Sequence, residues 1–156
     1  MPEKVFVNIC DLYAHRILIL AVSAAALVLG GCNRGPQMGQ VSGKVLLNGQ
    51  PLKFGTVAFQ PPSGQPSIGD IQNDGTFSLS TYRPGDGAIV GHHRVRVACY
   101  ESQRPGTKPT GGEQSLGKSL IPLNYTLFDQ SGLTAEVKSG ENEPLVIELK
   151  GPAVAQ

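Results

Sequence analysis

Gly112-Glu113-Gln114-Ser115-Leu116-Gly117-Lys118-Ser119 fits the pattern G-x-x-x-x-G-K-S letter for letter. In that pattern loop amides close on phosphates, the Lys neutralises them and the Ser hydroxyl meets magnesium, so the chemistry would be nucleotide binding. The arrangement needs a buried strand before the loop and a helix after it. Neither is written here: Ser102 to Gly112 is rich in Pro, Gly and Thr, and Pro122 follows Ser119 too closely for an ordinary helix. The segment reads as a solvated loop, and nucleotide is not expected as a partner.

Other reactive residue types are arranged no more favourably. His92 and His93 are adjacent, and neighbours on a strand point to opposite faces, so they do not share one metal. Asp70, Asp74 and Asp86 do not follow calcium-loop spacing, and Asp74 fits a turn. Cys99 shares the parity of Val95 and Val97 and has no base on its own strand, so it reads as a small buried hydrophobe. A sugar platform would use exposed aromatic rings. There is no Trp; Phe59, Phe77 and Tyr125 fall where a core would use them, leaving Tyr82, Tyr100 and Phe128 as surface contacts. No catalytic residue, metal ligand or cofactor site is assigned.

The position that chemistry does single out is Cys32. An uncharged apolar run begins at Ile17, behind His15-Arg16, and closes on Leu29-Gly30-Gly31-Cys32. A basic flank, a short apolar segment and small residues before a cleavage point describe a secretion signal. The run falls short of the roughly 20 apolar residues that a spanning helix wants. The motif resembles a bacterial lipobox. That resemblance implies a diacylglycerol thioether on Cys32, cleavage in front of it and acylation, with palmitate among the acyl chains, so that Cys32 is a lipidation site and the membrane a partner. By the same resemblance Asn33 favours the outer membrane over the inner. Residues 1–31 are then a lipoprotein signal peptide and 32–40 a flexible tether of roughly 15 Å reach. Cys10 leaves with the signal and Cys32 carries lipid, so Cys99 has no partner for a disulfide.

The rest of the chain must fold without a staple. Thirteen Lys and Arg against twelve Asp and Glu leave a formal charge of +1, which gives no electrostatic footprint for nucleic acid. Twenty Gly and twelve Pro, with no long helical stripe, point to short elements joined by turns. Val41, Gly43, Val45 and Leu47 alternate with Ser42, Lys44 and Asn48, with Leu46 out of step. Asn48-Gly49 supplies a hairpin turn before Pro51 and a strand carrying Val57 and Phe59; Asn73-Asp74-Gly75 does the same before Phe77 and Leu79. Val95, Val97 and Cys99 share one face, with Arg94 and Arg96 on the other. Leu133, Ala135 and Val137, then Leu145, Ile147 and Leu149, repeat the period of two. One wet face per strand suits two packed antiparallel sheets, an all-β domain.

Val41-Ser42-Gly43-Lys44-Val45, Asn48-Gly49-Gln50-Pro51-Leu52, Gly55-Thr56-Val57-Ala58-Phe59 and Asp74-Gly75-Thr76-Phe77, with Gly91 leading into Val95-Arg96-Val97, resemble the carboxypeptidase regulatory-like domains. Ile121-Pro122 with Tyr125, then Ser131-Gly132-Leu133-Thr134, resembles small bacterial lipoproteins built on that module. The resemblance implies a transthyretin-like (prealbumin-like) Greek-key β-sandwich over 41–151, with 152–156 as a tail. Transthyretin-like hydrolases end in Tyr-Arg-Gly-Ser; this chain ends Gly151-Pro152-Ala153-Val154-Ala155-Gln156. The expected function is a lipid-anchored, non-enzymatic protein of the cell envelope acting as a binding or structural module. The alternatives are a carbohydrate- or peptide-binding accessory domain of an envelope complex and, more distantly, a small hydrolase. The contact surface is expected on the loop from Glu101 to Ser119, through Arg104, Lys108, Glu113 and Lys118, with an envelope protein or glycan as partner.

Overall fold

The structure, a computed structural model, describes residues 35–106 and 116–152. The expected signal segment, Cys32, Lys108 and Glu113 lie outside the described residues, as does the first half of the G-x-x-x-x-G-K-S match.

Alternating side chains produce alternating burial, and the strands follow. They are β1 (Met38–Gln40), β2 (Ser42–Leu47), β3 (Gln50–Pro51), β4 (Thr56–Gln60), β5 (Ser67–Asp70), β6 (Thr76–Ser78), β7 (Ala88–Ile89), β8 (Gly91–Ala98), β9 (Leu133–Val137), β10 (Gly140–Glu141) and β11 (Leu145–Leu149). Helical structure among the described residues is confined to two 3-10 turns, Glu101–Gln103 and Leu123–Thr126, and the domain is all-β. None of these elements is a helix long and apolar enough to cross a membrane.

β2 pairs with β3 and β6 on one side and β11 on the other, while β5, β4, β8 and β9 form a second sheet in that order. A third, small sheet runs β10-β1-β7. The inner faces meet through Phe59 of β4 and Phe77 of β6, whose ring centroids are 6.3 Å apart and tilted 44°. Val45, Leu47, Ile147 and Leu149 from one sheet and Val57, Val95, Val97 and Val137 from the other complete one apolar core. Burying a Phe or Leu side chain contributes about 2–3 kcal/mol, which makes this cluster the main stabilising term in a domain without a disulfide.

Two expectations are corrected here. The sheets are mixed: β11 runs parallel to β2, and β10 parallel to β1. Local alternation fixes which face of a strand is buried but carries no direction, and here the last strands reach the first ones after the chain has built the other sheet. The other concerns residues 38–40, expected as the end of a flexible tether. Met38–Gln40 is a strand because Met38 and Gly39 pair with Ile89 and Ala88 while Gly39 and Gln40 pair with Gly140 and Glu141. A Cβ at Gly39 would run into the Lys138 carbonyl, so Gly39 is a packing residue rather than a linker residue.

The turns match their chemistry. Asn48 sits at φ 52° and Gly49 at φ 79°, the positive pair a two-residue hairpin wants, and Leu47 pairs with Gln50 across them. Asp74 accepts from the Thr76 N–H at 3.0 Å and from its hydroxyl at 2.6 Å.

Candidate functional site

Several of the reactive residues named by the sequence have structural roles among the described residues. Cys99 is fully buried in the core, and desolvation pushes its thiol from 9.0 up to about 11, against a smaller downward pull from Arg104. His92 and His93 do take opposite faces. His92 is exposed, with Nδ1 3.4 Å from the Glu136 carboxylate across the β8-β9 pair. His93 is buried against Phe59, with Nε2 2.6 Å from the Ile89 carbonyl. Asp86 accepts main-chain N–H bonds from Thr81, Tyr82 and Arg83 at 2.7–2.9 Å, so it closes a loop. No three His, Cys, Asp or Glu side chains gather into a metal site among the described residues.

The loop proposed for partner contact is pinned at its base. Tyr100 and Ser119 form an isolated bridge, the Glu101 N–H donates to the Lys118 carbonyl at 3.1 Å, and the Ser102 N–H donates to the Leu116 carbonyl at 3.3 Å. Lys118 returns its own N–H to the Glu101 carboxylate at 3.2 Å. In a phosphate loop that amide would face an anion from outside; here the chain supplies the anion itself. Arg104 lies over the Phe54 ring at 6.0 Å. Arg104 and Lys118 therefore belong to the loop base.

Arg94 and Arg96, on the outer face of the second sheet, are also engaged. The segment after Leu120 crosses that face: Asp129 pairs with Arg94, Phe128 lies 5.0 Å from the Arg96 guanidinium, and the Ser131 hydroxyl donates to the Val95 carbonyl at 2.6 Å. Of the aromatic surface residues, Tyr82 is 51% exposed, and it stands in the Asp86-closed loop.

What the structure assembles instead is a groove of about 720 Å³ beside the loop base. Lys53, Phe54 and Gly55 come from the approach to β4, Asp70 from the end of β5, Gln72 and Asn73 from the next turn, and Gln103 and Pro105 from the loop base. Gly55 has φ 126°, and a Cβ there would stand 2.5 Å from the Ala98 carbonyl, so the floor is main chain packed on main chain. Gln103 is fixed by accepting the Tyr100 N–H at 2.8 Å. The lining mixes amides with one cation and one carboxylate, groups that donate and accept hydrogen bonds. Sequence reading sees Asn73 only as a turn residue and does not single out Gln72, because nothing local reveals that Gln103 and Pro105 will face them.

No family model, curated protein or solved structure matches this chain.

Proposed function

We propose that this chain is a lipid-anchored, non-enzymatic protein of the bacterial cell envelope, held by acylated Cys32 and built on a transthyretin-like, carboxypeptidase regulatory-like β-sandwich that serves as a binding module. The observation that carries the reading is the spacing between the lipobox-like Leu29-Gly30-Gly31-Cys32 and the first strand: five residues, Asn33 to Gln37, separate the cysteine from β1. A leash that short holds a folded domain at a surface, since fully extended it reaches about 18 Å. Several acyl chains, at about 0.8 kcal/mol per buried methylene, make such attachment effectively permanent. Two sheets packed on one apolar core support the sandwich part of the reading, and the amide-lined groove supports binding. Cys99 and the two histidines are engaged in packing and pairing, which argues against the hydrolase alternative.

Intact-mass analysis of the protein extracted from bacterial membranes tests the anchor. The expected mature chain begins at acylated Cys32, and Cys32→Ser releases the domain from the membrane fraction. An unmodified Cys32, or a membrane-bound form retaining residues 17–31, overturns the reading.

A further inference from the structure

β11 is the last strand on one side of its sheet. It runs parallel to β2, with Leu149 opposite Leu47, and pairs with no other strand among the described residues. The Leu149 carbonyl accepts the Asn48 N–H at 2.9 Å, so Leu149 turns its main-chain groups toward β2. Alternate residues of a strand turn these groups to opposite edges. Leu145 and Ile147 therefore also face β2, while Val146, Glu148 and Lys150 face outward. Lys150 keeps this alternation: its N–H donates to the Tyr125 hydroxyl at 3.2 Å, and that hydroxyl donates to its carbonyl at 3.3 Å.

The open stretch has fixed ends. At Lys150 the Tyr125 hydroxyl fills the place of a neighbouring strand, and at the other end Pro144 has no N–H to give. Between them Val146 and Glu148 are exposed, and their outward N–H and C=O groups meet no partner among the described residues. Val146 is 69% exposed, the most of any large hydrophobic side chain described. The terminal strands of the other large sheet differ. β5 is tied by the bridge from Ile68 to Ser80, and β9 exposes only Thr134 and Glu136, the latter beside His92.

We propose that two copies of this chain pair along the outer edges of β11, antiparallel about a two-fold axis at Ile147, so that one sheet runs through both molecules. The pairing uses only the β-domain and does not depend on the lipid anchor.

The number and position of the free groups select a second copy. An axis at Ile147 sets Val146 opposite the partner's Glu148, and Glu148 opposite the partner's Val146. Each of these pairs exchanges two main-chain bonds, and no free N–H of either edge is left over. The same axis sets Pro144 opposite the partner's Lys150, a residue that lacks a donor against one whose groups are already taken. Moving the axis to Val146 sets Glu148 against Pro144 and loses a donor; moving it to Glu148 sets two carboxylates directly opposite and Val146 against the occupied Lys150. A self-complementary edge of this kind closes as a pair and does not propagate.

Side chains agree with that register. Lys44 lies beside Val146 within the sheet, so the pairing places Val146 between Lys44 and the partner's Glu148, opposite charges on either side of an apolar side chain. Exposed charges add little, so the ladder and the covering of Val146 carry the contact. A formal charge of +1 on the whole chain puts little repulsion between copies. The ladder is short, and the pair belongs among weak, reversible contacts.

The test uses the full protein in detergent. Under mild oxidation, Val146→Cys chains mixed with Glu148→Cys chains are expected to cross-link several-fold faster than either variant alone, because only the mixed pair sets its cysteines directly opposite, within disulfide reach. Mass spectrometry of the joined peptides separates these links from any through Cys10, Cys32 or Cys99. Sedimentation equilibrium from micromolar to millimolar protein is expected to show a monomer–dimer exchange that Glu148→Pro weakens at least tenfold. Thermal melting should stay within a few degrees, since the N–H removed points away from β2 and proline is tolerated on such an edge. Val146→Pro removes the other outward N–H and gives the same loss if Glu148→Pro fails to fold. Equal cross-linking of like and unlike variants, or a dimer that survives a folded proline variant, overturns the pairing. So does a chain that stays monomeric, even where a strand from another protein takes the edge.

Discussion

The main-chain N–H of Lys118 donates to the carboxylate of Glu101 at 3.2 Å, so one amide of the G-x-x-x-x-G-K-S match is already held by a negative charge from the chain itself. Magnesium-ATP titrated into the protein is expected to give no binding heat. Glu101→Ala frees the amide and loosens the loop base at a cost of about 1 kcal/mol or less, the net value of one exposed hydrogen bond. Limited trypsin digestion after Lys118 should then speed up without a large change in melting. Saturable nucleotide binding that Lys118→Ala removes would restore the phosphate reading.

Phe59 is the hinge of the core, with Phe77 at 6.3 Å from the facing sheet and His93 at 5.9 Å on its own. Phe59→Ala removes contacts on both sides and leaves a cavity, so a loss of about 3–5 kcal/mol is expected in urea unfolding. Because the two rings touch, the loss for Phe59→Ala with Phe77→Ala should differ from the sum of the singles. Strict additivity would mean that the sheets do not pack through this pair.

Cys99 should resist thiol reagents until the protein is denatured, because the reactive species is the thiolate and burial disfavours it. With the folded thiol near 11 and the unfolded one near 9.0, the stability linked to this group is complete below pH 9 and declines as pH rises toward 11. The decline is on the order of 2 kcal/mol and should be absent in Cys99→Ala, which urea midpoints at pH 8 and pH 10.5 would show. Cys99→Asp places an unpaired carboxylate in the core and should cost several kcal/mol.

Asp86 has the opposite sign. Desolvation is its largest single influence and pushes its carboxyl up, yet the N–H bonds from Thr81, Tyr82 and Arg83 together outweigh it and hold the group below 3.8. The stability linked to it is present above that value and lost as pH falls through the lower folded-state value. Asp86→Ala should therefore flatten the acid limb of the pH–stability curve and raise amide exchange at residues 81–83. An unchanged acid limb would mean that the three bonds are not maintained in solution.

Asn48 ties the turn after β2 to the chain that follows β11, donating from Nδ2 to the Gly151 carbonyl at 2.7 Å and accepting the Gly151 N–H at 3.2 Å. Asn48→Ala loses both bonds and places Ala at positive φ, so a loss of about 1–2 kcal/mol is expected, with Asn48→Gly less severe because Gly tolerates that backbone. Thermal melts of the two variants give the comparison.

By itself the sequence determined the all-β class, the burial of Val95, Val97 and Cys99 on one face, the opposed directions of His92 and His93, and the turns at Asn48-Gly49 and Asp74-Gly75. These follow from the period of two and from local backbone chemistry, each expressed within a few residues. Tertiary structure alone decided that β11 lies parallel to β2, that Met38–Gln40 is a strand, and that Glu101 fills the amide of Lys118. It also decided that Gln72 and Asn73 share a groove with Gln103. Each of these joins residues brought together by strand direction and sheet order, which alternation within a single strand does not encode.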